Sequence, residues 1–208
     1  MKLFKNIKNW LENQEHLFYL FLFILIVPNM VLCFTEPLPF MAKVANVLLP
    51  FGCYYLLMTL SRNCGKMLWI LFLFLFFGAF QIVLLYLFGQ SIIAVDMFLN
   101  LVTTNSSEAL ELLDNLTPAI IAVIILYVPA LILGTISIIR KRKLTVEFIR
   151  RERKRAFLVF GISLLSLVGA YVQDSGYELK SDLYPLNVCY NVGLAFQRTA
   201  LTQRSEER

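Results

Sequence analysis

Apolar runs of about twenty residues recur five times along this chain, divided by short polar breaks, and the pattern predicts an all-α protein built of bilayer-crossing helices. The runs fall at 16–34, 40–60, 67–88, 118–139 and 156–174. A helix needs roughly 20 apolar residues to cross the hydrocarbon core, and each run meets that length. Pro28, Pro50 and Pro129 fall inside runs. Lipid-embedded helices tolerate such prolines when neighbours satisfy the freed carbonyls. The second run is the least regular, because Lys43 and Asn46 stand near its start. Lys43 can extend its stem along the apolar surface and keep its ammonium in the interface.

The polar breaks differ sharply in charge. Residues 140–155 hold nine Lys/Arg, whereas residues 89–116 hold four acids and no Lys or Arg. The segment before the first run (Lys2, Lys5, Lys8), the break with Arg62 and Lys66, and the basic loop together contain fourteen of the nineteen Lys/Arg. The intervening breaks, TEPLP and 89–116, contain none. Cytoplasmic loops carry the excess of Lys and Arg, so this bias predicts five spans with the N-terminus inside and the C-terminus outside. The basic loop itself reads as an orientation signal and an anchor to anionic lipid, with no phosphate-binding motif beside it. The N-terminal KLFKNIKNWLENQEHLF is amphipathic enough to lie in the interface, with Trp10 as its anchor.

Composition narrows the class further. With 59% hydrophobic residues the chain exceeds the apolar share of a soluble domain. A net charge of +5 would suggest nucleic acid in a soluble protein. Here the charge lies beside apolar runs, so the membrane accounts for it and no nucleic-acid partner is expected. Cys33, Cys53, Cys64 and Cys189 form no CxxC pair, and His16 is the single histidine. No recognised metal-ligand spacing joins them, so no metal is expected in this chain. No short apolar run ends in a small-residue cleavage site, so no removable signal peptide is read. Two units are expected: a five-span domain over 1–175 and an outer linker over 176–208, too short to build its own core.

The outer segment 89–116 carries the candidate chemistry. Ile92, Ile93, Val95, Phe98, Leu99 and Val102 suit one face of a helix lying along the membrane. Asn105 and Glu108 then resemble a capping box, which would start a second, short helix at about Ser106. Asn100, Thr104 and Glu108 recur every four residues, and Asp96 extends the same stripe more weakly. These groups have ordinary structural uses, as caps and backbone partners. Together they also suit a polar lipid headgroup: the carboxylate can pair with an ammonium, and the hydroxyl and amide can bond phosphate oxygens.

The segment DMFLNLVTTNSSEALELL, the five spans and the tail YPLNVCYNVGLAFQR at 184–198 resemble the membrane domain of the bacterial phosphoethanolamine transferases that modify lipid A or lipopolysaccharide core. The resemblance runs over nearly the whole chain, and its specific part is the Asn100/Thr104/Glu108 segment. It implies an inner-membrane enzyme with a periplasmic C-terminus. Such enzymes take phosphoethanolamine from phosphatidylethanolamine and place it on a lipid A phosphate or core sugar, releasing diacylglycerol. Phospholipid and lipid A are the implied membrane partners, and Asn100, Thr104 and Glu108 match polar positions the family uses near its lipid substrate. The family's threonine nucleophile and zinc ligands belong to a soluble domain expected after residue 208. The residues in hand are therefore expected to anchor and present lipid, and to be inactive alone.

Two other classes compete. One is a stand-alone, non-catalytic lipid-binding or interaction protein. The other is a fragment of a small transporter, weakened because spans one, three and four hold no Asp, Glu, Lys or Arg.

Overall fold

The computed structural model describes residues 2–88 and 106–206, and among these every regular element is a helix. The chain runs through α1 (Lys2–Glu12), α2 (Gln14–Thr35), α3 (Phe40–Met58), α4 (Cys64–Ile70) and α5 (Phe72–Phe88). It continues through α6 (Ser106–Ile139), α7 (Val146–Gln173), α8 (Leu179–Asp182) and α9 (Leu186–Glu206). Among the described residues four helices are long and apolar enough to cross a membrane: α2, the Leu116–Ile139 part of α6, α3 and α7. The third apolar run is broken, with α4 and the start of α5 meeting at 63°. Counted as one bent span, this pair makes a fifth.

The bundle has two unlike ends, and local capping helps set the first. Asn13, Asn63 and Thr145 cap α2, α4 and α7 through their side chains, accepting from Glu15 N, Lys66 N and Phe148 N. All three caps lie at the end that carries the basic loop. There Asn63 also donates to Ser137 O and Arg142 O, joining the starts of α4 and α7 to the close of α6. Glu12, at the end of α1, meets Arg140 at 3.7 Å and Arg142 at 3.9 Å. The opposite end gathers Thr35, Phe40, Gln173 and the segment that follows α7.

Small residues draw the helices together. Ala42, Ala45 and Gly52 of α3 face Ala156, Ser163, Ser166 and Ala170 of the antiparallel α7, all buried. A Cβ on Gly52 would stand 3.0 Å from Phe160 Cα. The two serines satisfy their hydroxyls within α7, on Phe160 O and Ser163 O, so they pack as small residues at no polar cost. Where lipid surrounds a bundle, such close backbone approach is a main source of helix association. The tightest crossing is α4 on α6, where a Cβ on Gly65 would lie 2.2 Å from Gly134 O. No proline or glycine lies at the α4–α5 break. The break separates this crossing from a second close approach at Gly78, whose added Cβ would meet Pro28 Cγ at 2.8 Å.

The exterior of the spans is apolar. Phe23, Leu73, Phe76, Ile121, Ile125, Leu158, Leu165 and Val172 are all exposed. Continuous exposed apolar surface of this extent suits lipid contact and not water.

Two elements differ from the sequence expectation. The short helix expected from about Ser106 is, over the described residues, continuous with the fourth span through Pro118, and Ser106–Ile139 makes one helix of 34 residues. At about 1.5 Å per residue this helix is about 50 Å long, against a hydrocarbon core of about 30 Å. Its first turns therefore extend beyond the apolar section. The segment after α7 also packs where an outer linker was expected: Tyr177, Leu183, Tyr184, Asn187 and Val188 are buried. Tyr184 and Val188 join Leu32, Leu84 and Leu85 in one apolar cluster between α2 and α5.

Candidate functional site

The end opposite the basic loop carries a buried polar network that begins with a proline. Pro50 lacks the N–H that would bond Asn46 O in the preceding turn. Asn29, from α2, donates its side-chain amide to that carbonyl at 3.0 Å. The second N–H of the same amide donates to Tyr184 O at 2.8 Å. Asn46 in turn donates to Asp182 O at 2.6 Å and accepts from the Tyr177 hydroxyl. Two span asparagines thus bind three backbone carbonyls and clamp the 177–184 segment onto α2 and α3. Asp182 accepts from Glu178 N, which closes the short turn of α8. Burial raises the Tyr177 phenol above its ordinary value, and nearby Asp182 adds to the rise. The Tyr177 hydroxyl therefore stays a protonated donor across the physiological range.

A narrow crevice opens beside this network, lined in part by Asn29, Cys33, Glu36, Lys43, Asn46 and Asp182. Its enclosed space is about 10 Å³, room for about one water. Glu36, Lys43 and Asp182 are half-buried around it. Deeper in, the Tyr184 hydroxyl donates to Phe74 O at 3.3 Å. A Cβ on Gly78 would lie 3.0 Å from Tyr127 Oη and 3.3 Å from Tyr184 Oη, so only glycine leaves room for both phenols here. Among the described residues, Asn29 Oδ1, Tyr54 Oη, Tyr127 Oη and both polar atoms of the Asn187 amide are buried without a protein hydrogen-bond partner. This end therefore holds amides with spare hydrogen-bonding capacity, flanked by two carboxylates and one ammonium, with the two unpartnered phenols deeper in the bundle. Its chemistry is that of binding and orienting a polar group.

Of the residues singled out from the sequence, Asn100 and Thr104 lie outside the described residues, as does Asp96. Glu108 lies in α6 at the end of the bundle away from the basic loop. Among the described residues no group of three His, Cys, Asp or Glu side chains comes together as a metal site. His16 is at the basic end, its ring stacked on Trp10 at 5.0 Å. The sequence reading missed Asn29, Tyr177 and Asn187, and took Asn46 only as an irregularity of the second run. One signal was available: Asn46 stands four residues before Pro50, where a freed carbonyl needs a donor.

The fold defines the class, an α-helical bundle with, among the described residues, four to five helices suited to crossing a membrane. No family model, curated protein or solved structure matches the chain.

Proposed function

We propose that this chain is the membrane-anchoring, lipid-presenting domain of a phosphoethanolamine transferase of the bacterial inner membrane. Its N-terminus lies in the cytoplasm and its C-terminus in the periplasm. The reaction moves phosphoethanolamine from phosphatidylethanolamine to a lipid A phosphate or core sugar. The donor's phosphodiester bond breaks, a new bond forms from phosphorus to the acceptor oxygen, and diacylglycerol leaves with the displaced proton. Zinc and the nucleophilic threonine belong to a soluble domain, and no residue of this chain is assigned to them. Asn100, Thr104 and Glu108 hold the headgroup at the outer boundary, Glu108 facing the ammonium and the other two the phosphate.

The observation that carries this reading is the segment DMFLNLVTTNSSEALELL, which combines the family-like polar stripe with a complete lack of Lys and Arg. The arrangement of the described residues supports it. Glu108 belongs to the same end of the bundle as Glu36, Lys43 and Asp182, and that mix of two signs suits a zwitterionic headgroup better than a simple anion.

The test is made in cells that express the full-length gene product, with lipid A mass spectrometry as the readout. Glu108→Ala and Asn100→Ala are expected to lower phosphoethanolamine transfer by about tenfold, the loss of roughly one charge-assisted hydrogen bond, with membrane insertion unchanged. Wild-type transfer by both variants at wild-type expression would overturn the assignment. Absence of transfer from the unmodified protein would favour the non-catalytic lipid-binding reading.

A further inference from the structure

We propose that the basic end of the bundle carries a discrete site for an anionic glycerophospholipid, its phosphate held by Arg62, Arg150, Arg153 and Lys154 and an acyl chain laid in the adjoining groove. The site is separate from the headgroup site at the other end and does not depend on the transferase reading.

The basic loop is not a uniform cloud of charge, because the fold sorts its cations. Arg140 and Arg142 face Glu12. Arg151 and Arg155 bind Glu152 at 2.9 and 3.0 Å. Among the described residues no carboxylate pairs with Arg62, Arg150, Arg153 or Lys154. These four surround one cavity of about 500 Å³, with Ile149 and Phe157 contributing apolar wall. Neither Glu147 nor Glu152, the two acids of this stretch, is among its lining residues.

Helix geometry explains the sorting. At about 100° per residue, positions 146, 150, 153, 154 and 157 of α7 fall on one stripe, while Phe148, Glu152 and Ala156 fall on the other side. The second set is buried in the bundle and the first is exposed. Two of the cations are also held in place. Arg62 Nε donates to Leu144 O at 2.9 Å, and an Arg153 terminal nitrogen donates to Thr59 O at 2.7 Å. A guanidinium has five N–H donors, so most remain for a phosphate. Preset donors reduce the ordering cost of binding.

The adjoining groove identifies the ligand as a lipid. A second cavity of about 170 Å³ is lined by Leu56, Leu57, Thr59, Leu60, Arg153 and Phe157. Arg153 and Phe157 belong to both cavities. They stand where α7 changes from the charged stretch 150–155 to its apolar section. Leu60 and Phe157 are 66% and 61% exposed, so the groove presents apolar surface beside a cationic pocket. A phosphate bearing acyl chains fits both halves, whereas free phosphate uses only one. Basic pockets between spans at the cytoplasmic interface are a known way of holding anionic headgroups.

The test uses the purified full chain in neutral detergent and reads lipid retention by native mass spectrometry. Phosphatidylglycerol is compared with phosphatidylcholine, and glycerophosphoglycerol and inorganic phosphate serve as competitors. The wild-type chain is expected to retain phosphatidylglycerol over phosphatidylcholine. Arg150→Gln with Lys154→Gln is expected to weaken that retention by about tenfold or more, at about 1 kcal/mol per cation. Lys141→Gln with Lys143→Gln, which removes the same charge from the loop but not from the cavity, is expected to change it less than threefold. Equal losses in the two double variants would show diffuse attraction and overturn the site. Displacement of the lipid by equimolar glycerophosphoglycerol or phosphate would overturn the role of the groove. Equal retention of phosphatidylcholine would overturn the anionic selectivity.

Discussion

The two ends of this bundle solve one problem in opposite ways. Each must finish a set of apolar helices with polar groups. The basic end keeps most of its charge outward and buries one carboxylate, Glu152, which is fully shielded and collects two arginines and the Tyr55 hydroxyl. The other end buries neutral groups instead, and binds them to backbone carbonyls of α3 and of the segment after α7. A charge is costly to bury unless paired and hydrogen-bonded, so the basic end needs a clamp of ionised partners. An amide is cheaper to bury, and it can satisfy two carbonyls at once. The first end is therefore rigid around one anion and open for another. The second is tied together by a chain of single hydrogen bonds that a polar ligand could extend.

Substitutions can break this contrast, beginning where geometry leaves least room. Gly65→Ala should cost about 3 kcal/mol, because its methyl would enter the space of Gly134 O and force α4 from α6. Gly134→Ala should cost far less, since its methyl would meet first the movable end of Leu68 at 3.2 Å. Thermal unfolding of the two variants in detergent checks the asymmetry, and equal melting points would contradict the crossing described.

Next in size is Glu152→Ala, expected to destabilise by about 2 kcal/mol because it strips a buried hydroxyl of its charged acceptor. Glu152→Gln keeps the shape and one acceptor oxygen, and should lose about half as much. The same unfolding assay reads both. A loss confined to the basic end would leave proteolysis of residues 175–190 at the wild-type rate.

The smallest effects belong to the opposite end. Asn29→Ala leaves Asn46 O and Tyr184 O without their donor and should cost about 1–2 kcal/mol. Tyr177→Phe removes one donor to Asn46 and should cost about 1 kcal/mol. Both should speed proteolysis between Gly176 and Leu186 while leaving the Glu152 clamp intact. Slower or unchanged cleavage in both would show that the asparagine network does not hold this segment.

Much of the bundle is legible along the chain because lipid demands long apolar runs, and no other soluble or fibrous pattern supplies five of them. The runs at 16–34, 40–60 and 118–139 lie within or close to helices of the structure. The third run hides a break, because nothing in an unbroken string of Leu, Phe and Ile marks where packing against two neighbours requires a 63° bend. Of the candidate site, Glu108 can be placed at the end of the bundle away from the basic loop, while Asn100 and Thr104 fall outside the described residues. Asn29 and Tyr177 were not legible, since their partners lie 17 and 131 residues away.

Periodicity, length and the bias of Lys and Arg are local quantities, so the sequence by itself determined the helical class, the approximate spans and which polar breaks are basic. The tertiary structure decided how the basic residues divide between buried clamp and open cavity. It also decided that the tail after α7 returns to the bundle, and that Asn29 answers the carbonyl Pro50 sets free. Those outcomes depend on which helix faces which, and on backbone groups whose partners are distant in sequence. Pro50 marks locally that a carbonyl is freed, but which residue answers it, like the pairing of charges, is a property of the packed bundle.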